Sequence, residues 1–232
     1  MYVEREELDL SVIFPCLNEA ECVGQCVRDA KAFMEEENIR GEVLVVDNGS
    51  RDDSARQARS CGARVLYEKD TGYGNAIRCG LSKSRGQVVI FADCDMTYDV
   101  HRLWRLYEPL KRGEADIVIG DRFRGGIESG AMSLSHRVGV PILSFLGRMR
   151  YHVSVRDFHC GIRGLTREAL LAMELHAAGM EFATEFIAEA ARKNLRIHQV
   201  PVTLARPPEG RTSKLRTVYD GIRHLNYIMK CP

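Results

Sequence analysis

Residues 87–97 read QVVIFADCDMT, an apolar run that ends in two carboxylates, Asp93 and Asp95, one residue apart. The run is β-rich and continuous in apolar character, as buried strands of parallel sheets are. Carboxylates at alternate positions just beyond such a strand can hold a hard divalent cation such as Mg²⁺ or Mn²⁺ through oxygen. This stretch therefore predicts a buried strand with a metal site at its carboxyl end.

Four further apolar runs surround this strand, and amphipathic stretches of helical period separate them. Alternation of strand and helix predicts an α/β fold with a doubly wound, mostly parallel sheet flanked by helices. The strands are expected at 10–14, 42–47, 64–68 and 116–120, and the helices at 20–38, 53–61, 74–84 and 101–112. After a loop rich in Gly and Ser at 125–133, we expect helical stretches at 134–150 and 166–194, a strand at 195–204 and a helix at 214–230.

Polar residues at the carboxyl ends of the strands are the first candidates for a site, since ligands of doubly wound sheets bind there. The first strand ends in FPCLNE (14–19) and the second in DNGS (47–50). With DCD (93–95), three strand ends bring carboxylates to one edge. A single carboxylate could be a helix cap or a turn residue, but their joint occurrence indicates a binding site.

A Gly-rich segment, KDTGYGNA (69–76), follows the third strand and opens a helix. Its glycines and the helix N-terminus could approach a phosphate closely. A dinucleotide-binding loop is the rival interpretation. That motif would need Gly at the position of Ile77 and belongs after the first strand, so a Rossmann dehydrogenase is not favoured.

The net charge of +1 conceals an uneven distribution. Residues 1–121 carry 16 Lys and Arg against 23 Asp and Glu, residues 122–167 carry eight Arg against two acids, and residues 192–232 carry nine basic residues against two acids. The basic back half indicates contact with an anion, with a solvated surface as the alternative. Nucleic acid is not the expected partner, because the arginine-rich stretch lacks interleaved aromatic residues.

The 232 residues, 45% of them hydrophobic, suffice for one sizeable α/β domain. No apolar run reaches the roughly 18–20 residues of a spanning helix, and the acidic N-terminus has no signal-peptide core. The eight cysteines form no CxxC pair, so we expect reduced, mostly buried thiols. These features predict a cytoplasmic protein.

Taken in order, these motifs resemble family 2 glycosyltransferases of the GT-A fold, in particular the branch that includes dolichyl-phosphate mannose synthase and bacterial polyprenyl-phosphate glycosyltransferases. The resemblance runs from Ser11 to about Lys214, and it is specific as a set. It implies a metal-dependent, inverting hexosyltransferase that uses a nucleotide-diphosphate sugar. The motifs that carry it are FPCLNEA (14–20), VVDNGSRDDS (45–54), KDTGYGNA (69–76), FADCDMTYD (91–99), GDRFRGG (120–126), DFHCGIRG (157–164), MEFATEF (180–186), VPVTLARPPEGRTSKL (200–215) and DGIRHL (220–225).

The resemblance also implies roles for single residues. In that family the ends of the first two strands hold the base and ribose of the donor, the alternate carboxylates hold Mg²⁺ or Mn²⁺, and an arginine at the position of Arg122 faces the phosphates. A terminal basic loop, here Arg206, Ser213 and Lys214, closes over the substrates. The expected donor-binding residues are Pro15, Leu17, Glu19, Asp47, Gly49, Lys69, Gly74, Asp93, Arg206 and Lys214.

The acceptor is expected to be a polyprenyl phosphate at the cytoplasmic membrane face. A phosphate oxygen is already anionic and needs cations, which the arginines of 122–167 supply, whereas a hydroxyl needs a positioned base. Glu185 is the first candidate for such a base and Asp157 the second, and either could instead be a structural partner of an arginine. The expected acceptor contacts are Arg137, Asp157, Arg163 and Ser213, and the expected catalytic residues are Asp95, Arg122 and Glu185.

A UDP-sugar, UDP-glucose in particular, is favoured over GDP-mannose as the donor. One alternative is a soluble glycosyltransferase acting on a small-molecule or protein hydroxyl. Another is a catalytically silent nucleotide-sugar-binding protein, against which the intact DCD motif and the terminal basic loop argue. Thr97 stands where some relatives carry a Gln or Asp, so a third protein ligand to the metal is not expected.

Residues 1–205 are expected to form the catalytic domain, and 206–232 a basic loop with an amphipathic appendage. In 206–230, six Lys and Arg accompany two acids and an apolar stripe at near-helical spacing, the pattern of an interfacial membrane helix. A helix packed on the domain's own core is the alternative. Many bacterial relatives continue into transmembrane helices after the DGIRHL-like segment, so this chain is peripheral at the membrane, part of a longer chain, or uses a soluble acceptor. The stripe consists of Leu215, Val218, Ile222, Leu225 and Ile228.

Overall fold

The computed structural model describes residues 8–208 and 216–230. At its centre is a seven-stranded sheet with the strand order β3-β2-β1-β4-β6-β5-β7. The strands are β1 (Leu8–Cys16), β2 (Gly41–Asp47), β3 (Arg64–Tyr67), β4 (Gly86–Phe91), β5 (Ile117–Asp121), β6 (Arg163–Thr166) and β7 (Ile197–Pro201).

Helices flank this sheet, and most begin and end within a few residues of the predicted bounds. A 3₁₀ turn at Val100–Arg102 precedes α4, in place of the single helix expected from residue 101. The helices are α1 (Val23–Glu36), α2 (Ser54–Ser60), α3 (Tyr73–Lys83), α4 (Trp104–Lys111), α5 (Arg122–Gly125), α6 (Leu134–Tyr151), α7 (Arg167–Ala172), α8 (Phe182–Arg192) and α9 (Thr217–Lys230).

The sheet is parallel except for β6, which runs antiparallel between β4 and β5. The expected doubly wound, mostly parallel architecture is confirmed. Strand β6 escaped prediction because its four residues, RGLT, are too few to show a period of two. The continuous helix expected over 166–194 is wrong, since a loop at 173–181 separates α7 from α8.

Aromatic packing fixes α8 against β4, the strand that leads to the two central carboxylates. The ring of Phe91 lies 6.1 Å from that of Phe182 and 5.6 Å from that of Phe186, both in edge-on geometry. All three side chains are fully buried. Edge-on aromatic pairs stabilise a fold by about 0.5–1.5 kcal/mol each beyond the effect of their burial. This cluster therefore fixes the position of the carboxyl end of β4 relative to α8.

Helix α9 packs against α6 and α8 through His224 and Ile228. The His224 ring meets the half-buried His159 ring edge-on at 4.2 Å between centroids, and the Nδ1 atom of His224 lies 2.9 Å from the Thr184 hydroxyl. Part of α9 is therefore packed on the domain, the alternative to an interfacial helix that the sequence left open.

Within the described residues, no helix is long and apolar enough to cross a membrane.

His224 and His159, whose rings meet edge-on between α9 and the domain, both favour the neutral form. Burial lowers the pKa of His224 to about 4. Burial first, and then the charge of a protonated His224, lowers the pKa of His159 well below its usual range. Among the described residues, neither ring nitrogen of His159 has a hydrogen-bond partner. Protonation therefore opposes the docking of α9.

We expect acid to destabilise the chain through this histidine pair. The folded-state pKa of His224 lies below the ordinary histidine value of 6.5. The stability that neutral His224 contributes is therefore complete above pH 6.5 and is lost as the pH falls towards 4. The free energy of unfolding should drop on the order of 3 kcal/mol over that interval from His224 alone. Urea unfolding followed by circular dichroism between pH 4 and 8 measures this loss.

In His224→Gln the same acid range should cost markedly less stability. His198→Gln, which alters an exposed histidine on β7, is the matched control and should keep the parent pH profile. Identical profiles for the parent and His224→Gln would show that the contact does not sense protons.

Candidate active site

A cavity of about 380 Å³ opens at the carboxyl edge of the sheet. The ends of β1, β2 and β4, the start of α3, the loop before α8 and one face of α9 form its wall. Both Asp93 and Asp95 line it. A second cavity of about 590 Å³ lies between α3 and α7 and is lined by neither of them, so we place the candidate site in the first.

Asp95 is buried, and its orientation is set by a residue two positions on. Its Oδ1 accepts a hydrogen bond from the backbone N–H of Thr97 at 3.0 Å and another from the Thr97 hydroxyl. Thr97 was not expected to bind the metal. It instead orients Asp95, which was predicted to be a metal ligand.

Asp93 is held between a tyrosine and a glycine. The Tyr73 hydroxyl donates to its carboxylate, and burial together with the charge of Asp93 raises the pKa of Tyr73, which keeps the donor protonated. On the other side, a methyl group at Gly161 would overlap the Asp93 carboxylate. The Gly161 N–H donates to the Tyr98 hydroxyl at 2.9 Å. A side chain at position 161 would therefore have to displace the Asp93 carboxylate.

These two carboxylates fit a hard divalent cation. They present oxygen ligands on the wall of one cavity, as Mg²⁺ and Mn²⁺ prefer. Among the described residues, no group of three or more His, Cys, Asp or Glu side chains is arranged to hold a metal. The remaining ligands would therefore have to be oxygens of the donor and of water.

The ends of β1 and β2 form the part of the wall expected to hold the nucleoside. Pro15, Leu17 and Glu19 line the cavity. Asp47 is buried beside it, and its Oδ1 accepts the N–H of Ser50 at 2.9 Å across a turn. Gly49 takes a positive φ of 94° there, a conformation that glycine adopts without steric cost.

Asn48 lines the same cavity and was not among the predicted residues. Its amide donates to the carbonyl oxygens of Glu68 and Asp70 at 3.2 and 2.9 Å and accepts the N–H of Gly72 at 2.7 Å. It thus ties the end of β2 to the loop after β3. The sequence feature that could have identified Asn48 was its position directly after Asp47, the last residue of β2.

The start of α3 lines the cavity through Gly72 and Tyr73, and the phosphate contact expected at Gly74 stays a prediction, because packing already accounts for this glycine. A side chain at Gly74 would overlap the backbone of Ala177, and the N–H of Asn75 donates to the Ala178 carbonyl at 3.2 Å. This glycine serves close packing of the helix start against the loop before α8. Lys69 is exposed and is not part of the cavity wall.

Arg163, expected to contact the acceptor, is 1% exposed. Its guanidinium donates to the carbonyl oxygens of Phe158, Cys160 and Ala183 at 2.7, 3.0 and 2.9 Å. All three of its nitrogens are thereby used inside the protein. The expectation of a direct acceptor contact is wrong for this residue, which instead supports the DFHCG segment.

Arg122 and Asp157 form a buried pair. The Nε and Nη2 atoms of Arg122 lie 2.7 and 2.8 Å from the two oxygens of Asp157, and Asp157 is 0% exposed. Asp157 is thus a structural partner of an arginine, as the sequence allowed, rather than an acceptor contact or a base. Neither residue lines the cavity with Asp93, so a phosphate contact by Arg122 remains a prediction.

Glu185 is also occupied by structure. It is 3% exposed, and its two oxygens accept the N–H groups of His176 and Ala177, each at 2.9 Å. It partners backbone rather than an arginine, and it closes the loop that divides the helix expected over 166–194. It does not line the cavity.

The remaining predicted contacts lie on the surface or outside the described residues. Arg137 is exposed on α6, and Arg206 is exposed with its N–H bonded to Glu128 at 2.9 Å. Ser213 and Lys214 fall outside the described residues. The roles of these four residues stay predictions.

Helix α9 and Arg216, the residue just before it, supply cavity residues that the sequence analysis assigned to no site. Arg216, Tyr219, Asp220 and Arg223 all line the cavity. Their spacing places them on one face of a helix, and this spacing could have predicted from the sequence that they share a surface. Arg223 also pairs with Glu181 in the loop before α8. Arg216 and Arg223 thus place two cations on the wall of the cavity that Asp93 and Asp95 line.

Comparison with known proteins identifies relatives of this chain. The model of the family described as Glycosyl transferase family 2 matches residues 11–172. The chain is 37% identical over 221 residues to Low-salt glycan biosynthesis hexosyltransferase Agl6 of Haloferax volcanii, covering 95% of this chain and 53% of that relative. It is 30% identical over 194 residues to Dolichyl-phosphate hexose transferase of the same organism, covering 84% and 82%. It thus spans about half the length of the first relative.

A solved structure shares the architecture. Glucosyl-3-phosphoglycerate synthase from Mycobacterium tuberculosis, in complex with Mn²⁺, UDP and glucosyl-3-phosphoglycerate, superposes with a TM-score of 0.76 at 23% identity, covering 97% of this chain and 81% of that one. At this identity the likeness concerns the fold alone. It confirms the expected GT-A architecture.

Gly161→Ala should weaken the binding of Mn²⁺ with UDP at least tenfold, because the added methyl group displaces the Asp93 carboxylate. Isothermal titration calorimetry measures the affinity, and circular dichroism verifies that the variant is folded. The matched control is Gly139→Ala on α6, where an added methyl group meets no atom within 4 Å and binding should be unchanged. Equal affinity in Gly161→Ala and the parent would contradict the proposed position of the metal.

Proposed function

The chain belongs to glycosyl transferase family 2, and from this premise we propose that it transfers a hexose from a nucleotide-diphosphate sugar to a polyprenyl phosphate. UDP-glucose is the proposed donor, ahead of GDP-mannose. The observation that carries the proposal is the meeting of Asp93 and Asp95 with the ends of β1 and β2 around one 380 Å³ cavity. The relative named as a dolichyl-phosphate hexose transferase supports the choice of acceptor.

The proposed reaction is a single displacement with inversion. An oxygen of the acceptor phosphate attacks the anomeric carbon, the bond to the diphosphate oxygen breaks, and its electron pair leaves with the nucleoside diphosphate. Mg²⁺ or Mn²⁺ held by Asp93 and Asp95 would neutralise charge that develops on that diphosphate. Arg216 and Arg223 add positive charge to the wall of the same cavity.

The positions of Glu185 and Asp157, the two bases predicted from the sequence for a hydroxyl acceptor, support a phosphate acceptor instead. A hydroxyl needs a base within hydrogen-bond reach, and neither Glu185 nor Asp157 lines the cavity. Both carboxylates are already engaged, with backbone N–H groups and with Arg122 respectively. A phosphate oxygen is anionic at neutral pH and does not need them.

The proposed membrane contact is peripheral, at the cytoplasmic face, and involves two neighbouring helices. On α6, Leu134 is 78% and Met149 64% exposed, and on α9 Val218 is 76% and Met229 73% exposed. Further large apolar side chains lie exposed between them, and α6 packs against α9. We call this set the outer apolar face: Leu134, Val138, Ile142, Phe145, Leu146, Met149, Val218, Ile222, Leu225 and Met229.

The charge around the outer apolar face suits an anionic lipid surface. Helix α6 carries Arg137, Arg148 and Arg150 and no acidic residue. Exposed apolar side chains with flanking cations are the pattern by which helices lie in a membrane interface. Of the apolar stripe predicted in the C-terminal segment, Ile228 is buried instead and Leu215 falls outside the described residues.

Transfer should require Asp95 and should go to a phosphate. With UDP-glucose and Mn²⁺, we expect a glucosylated product from a short polyprenyl phosphate and none from the matching polyprenol, as measured by mass spectrometry. Asp95→Asn should lose at least 100-fold in rate, because one of two metal-binding carboxylates is removed. Asp53→Asn, at an exposed carboxylate near α2, should retain the parent rate.

Two further variants separate the acceptor classes. Arg137→Ala should raise the KM for the polyprenyl phosphate, and Glu185→Gln should cost much less than the 10²–10⁴-fold typical of losing a general base. Product on the polyprenol, with a folded but inactive Glu185→Gln, would replace the proposal by a hydroxyl-acceptor enzyme. Tight UDP-sugar binding without product on either acceptor would indicate a silent binding protein.

Binding to vesicles should depend on the outer apolar face. We expect co-sedimentation with vesicles that contain anionic lipid and much less with neutral ones, because arginines rim the apolar side chains. The double variant Ile142→Glu, Ile222→Glu should lose most of this binding. Leu171→Glu, at a leucine 78% exposed on α7, should keep it. Equal binding to both vesicle types, or none to either, would contradict the proposed contact.

A further inference from the structure

Two cysteine thiols meet in the wall of the candidate site. Cys16 is the last residue of β1, and Cys94 lies between Asp93 and Asp95. Both line the 380 Å³ cavity, and their side chains are hydrogen-bonded to each other. Neither thiol has a part in the proposed transfer reaction.

The strand register explains why they meet. Strands β1 and β4 pair in parallel with Ile13 opposite Phe91, and the N–H of Ala92 continues this ladder to the Ile13 carbonyl at 3.1 Å. Cys16 and Cys94 each follow three residues later, Cys94 in the bend just beyond β4, and its thiol reaches the Pro15 carbonyl of β1 at 3.2 Å. Neighbouring strands lie about 4.7–4.9 Å apart at the end of this ladder, and the Cα atoms of a disulfide lie roughly 4.4–6.8 Å apart.

The surroundings of this pair favour a small reagent. Each cysteine is 2% exposed, so access is through the cavity and not from the outer surface. The Cys94 thiol also donates to the carbonyl of Pro15 at 3.2 Å, which holds it beside the end of β1. Cys61 and Cys79 are less buried but do not line this cavity.

We propose that Cys16 and Cys94 form an oxidisable dithiol that hydrogen peroxide closes into a disulfide, and that the closed form binds the donor with its metal more weakly. This second part rests on the donor site proposed above. The reason is geometric: the bond would tie Cys94 to β1, and Asp93 and Asp95 are its direct neighbours in the chain. A shift of either carboxylate alters the metal site that the two form together.

The oxidation balances with peroxide as the only co-reactant. The sulfur of one cysteine attacks a peroxide oxygen, the O–O bond breaks, and a sulfenic acid and one water form. The sulfur of the second cysteine then attacks the sulfenic sulfur, and the hydroxyl leaves as a second water with the thiol proton. Two thiols have lost two electrons in total, and one peroxide has become two waters.

The chemical part is tested by mapping disulfides in the whole chain. After treatment with hydrogen peroxide and blocking of free thiols, mass spectrometry of the digested protein should find a peptide joining Cys16 to Cys94, and dithiothreitol should remove it. UDP with Mn²⁺ should slow its formation at least fivefold by filling the cavity. A joined peptide of Cys94 with Cys26, or two separately oxidised cysteines, would overturn the proposal.

The functional part is tested by UDP binding in the presence of Mn²⁺. Oxidised protein should bind at least tenfold more weakly, with recovery after dithiothreitol. Cys61→Ser, Cys79→Ser should respond like the parent, whereas Cys16→Ser should form no joined peptide. Unchanged binding by fully joined protein would overturn the switch and leave the proposed function intact. If reduced protein bound no nucleotide sugar at all, the proposed function would fail, while the mapping would still decide the dithiol.

Discussion

The guanidinium of Arg163 is enclosed in the protein, and the carboxyl edge of the sheet depends on it. Taking a charge out of water costs several kcal/mol unless hydrogen bonds replace the lost hydration. Here three backbone carbonyls accept from it, those of Phe158, Cys160 and Ala183, and the Phe186 ring lies 5.3 Å away. One side chain thus joins β6, the segment before it and the start of α8, three pieces of chain that no regular ladder connects.

That arrangement explains how a short segment containing Gly161 can position Asp93, a candidate metal ligand. Residues 157–162 have no strand or helix of their own, so their shape comes from Arg163 on one side and from Tyr98, which accepts the N–H of Gly161, on the other. Gly161 then lies against Asp93. The order of dependence runs from a buried cation to a loop, and from the loop to the candidate metal ligand.

The sequence predicted well whatever is local along the chain. The strand leading to Asp93 and Asp95, the ends of β1 and β2, and the doubly wound order all follow from apolar runs and their polar termini, which are properties of neighbouring residues. Partners distant in the chain were not predictable in this way. Arg163, Glu185 and Asp157 carry the residue types of a phosphate or acid–base site, but each is satisfied inside the protein, by carbonyls, by N–H groups and by Arg122 respectively. Residue type alone does not distinguish a charge that faces a ligand from one that faces the backbone.

Helix α9 presents three different surfaces over fourteen residues. Tyr219, Asp220 and Arg223 border the cavity, His224 and Ile228 enter the core, and Val218 and Met229 face outward. Successive residues of an α-helix are about 100° apart, so turning the helix by a single position would exchange all three surfaces at once. The helix can therefore take only one rotation about its axis. An insertion or deletion of one residue ahead of it would change the residues that face the cavity, the core and the outside at the same time.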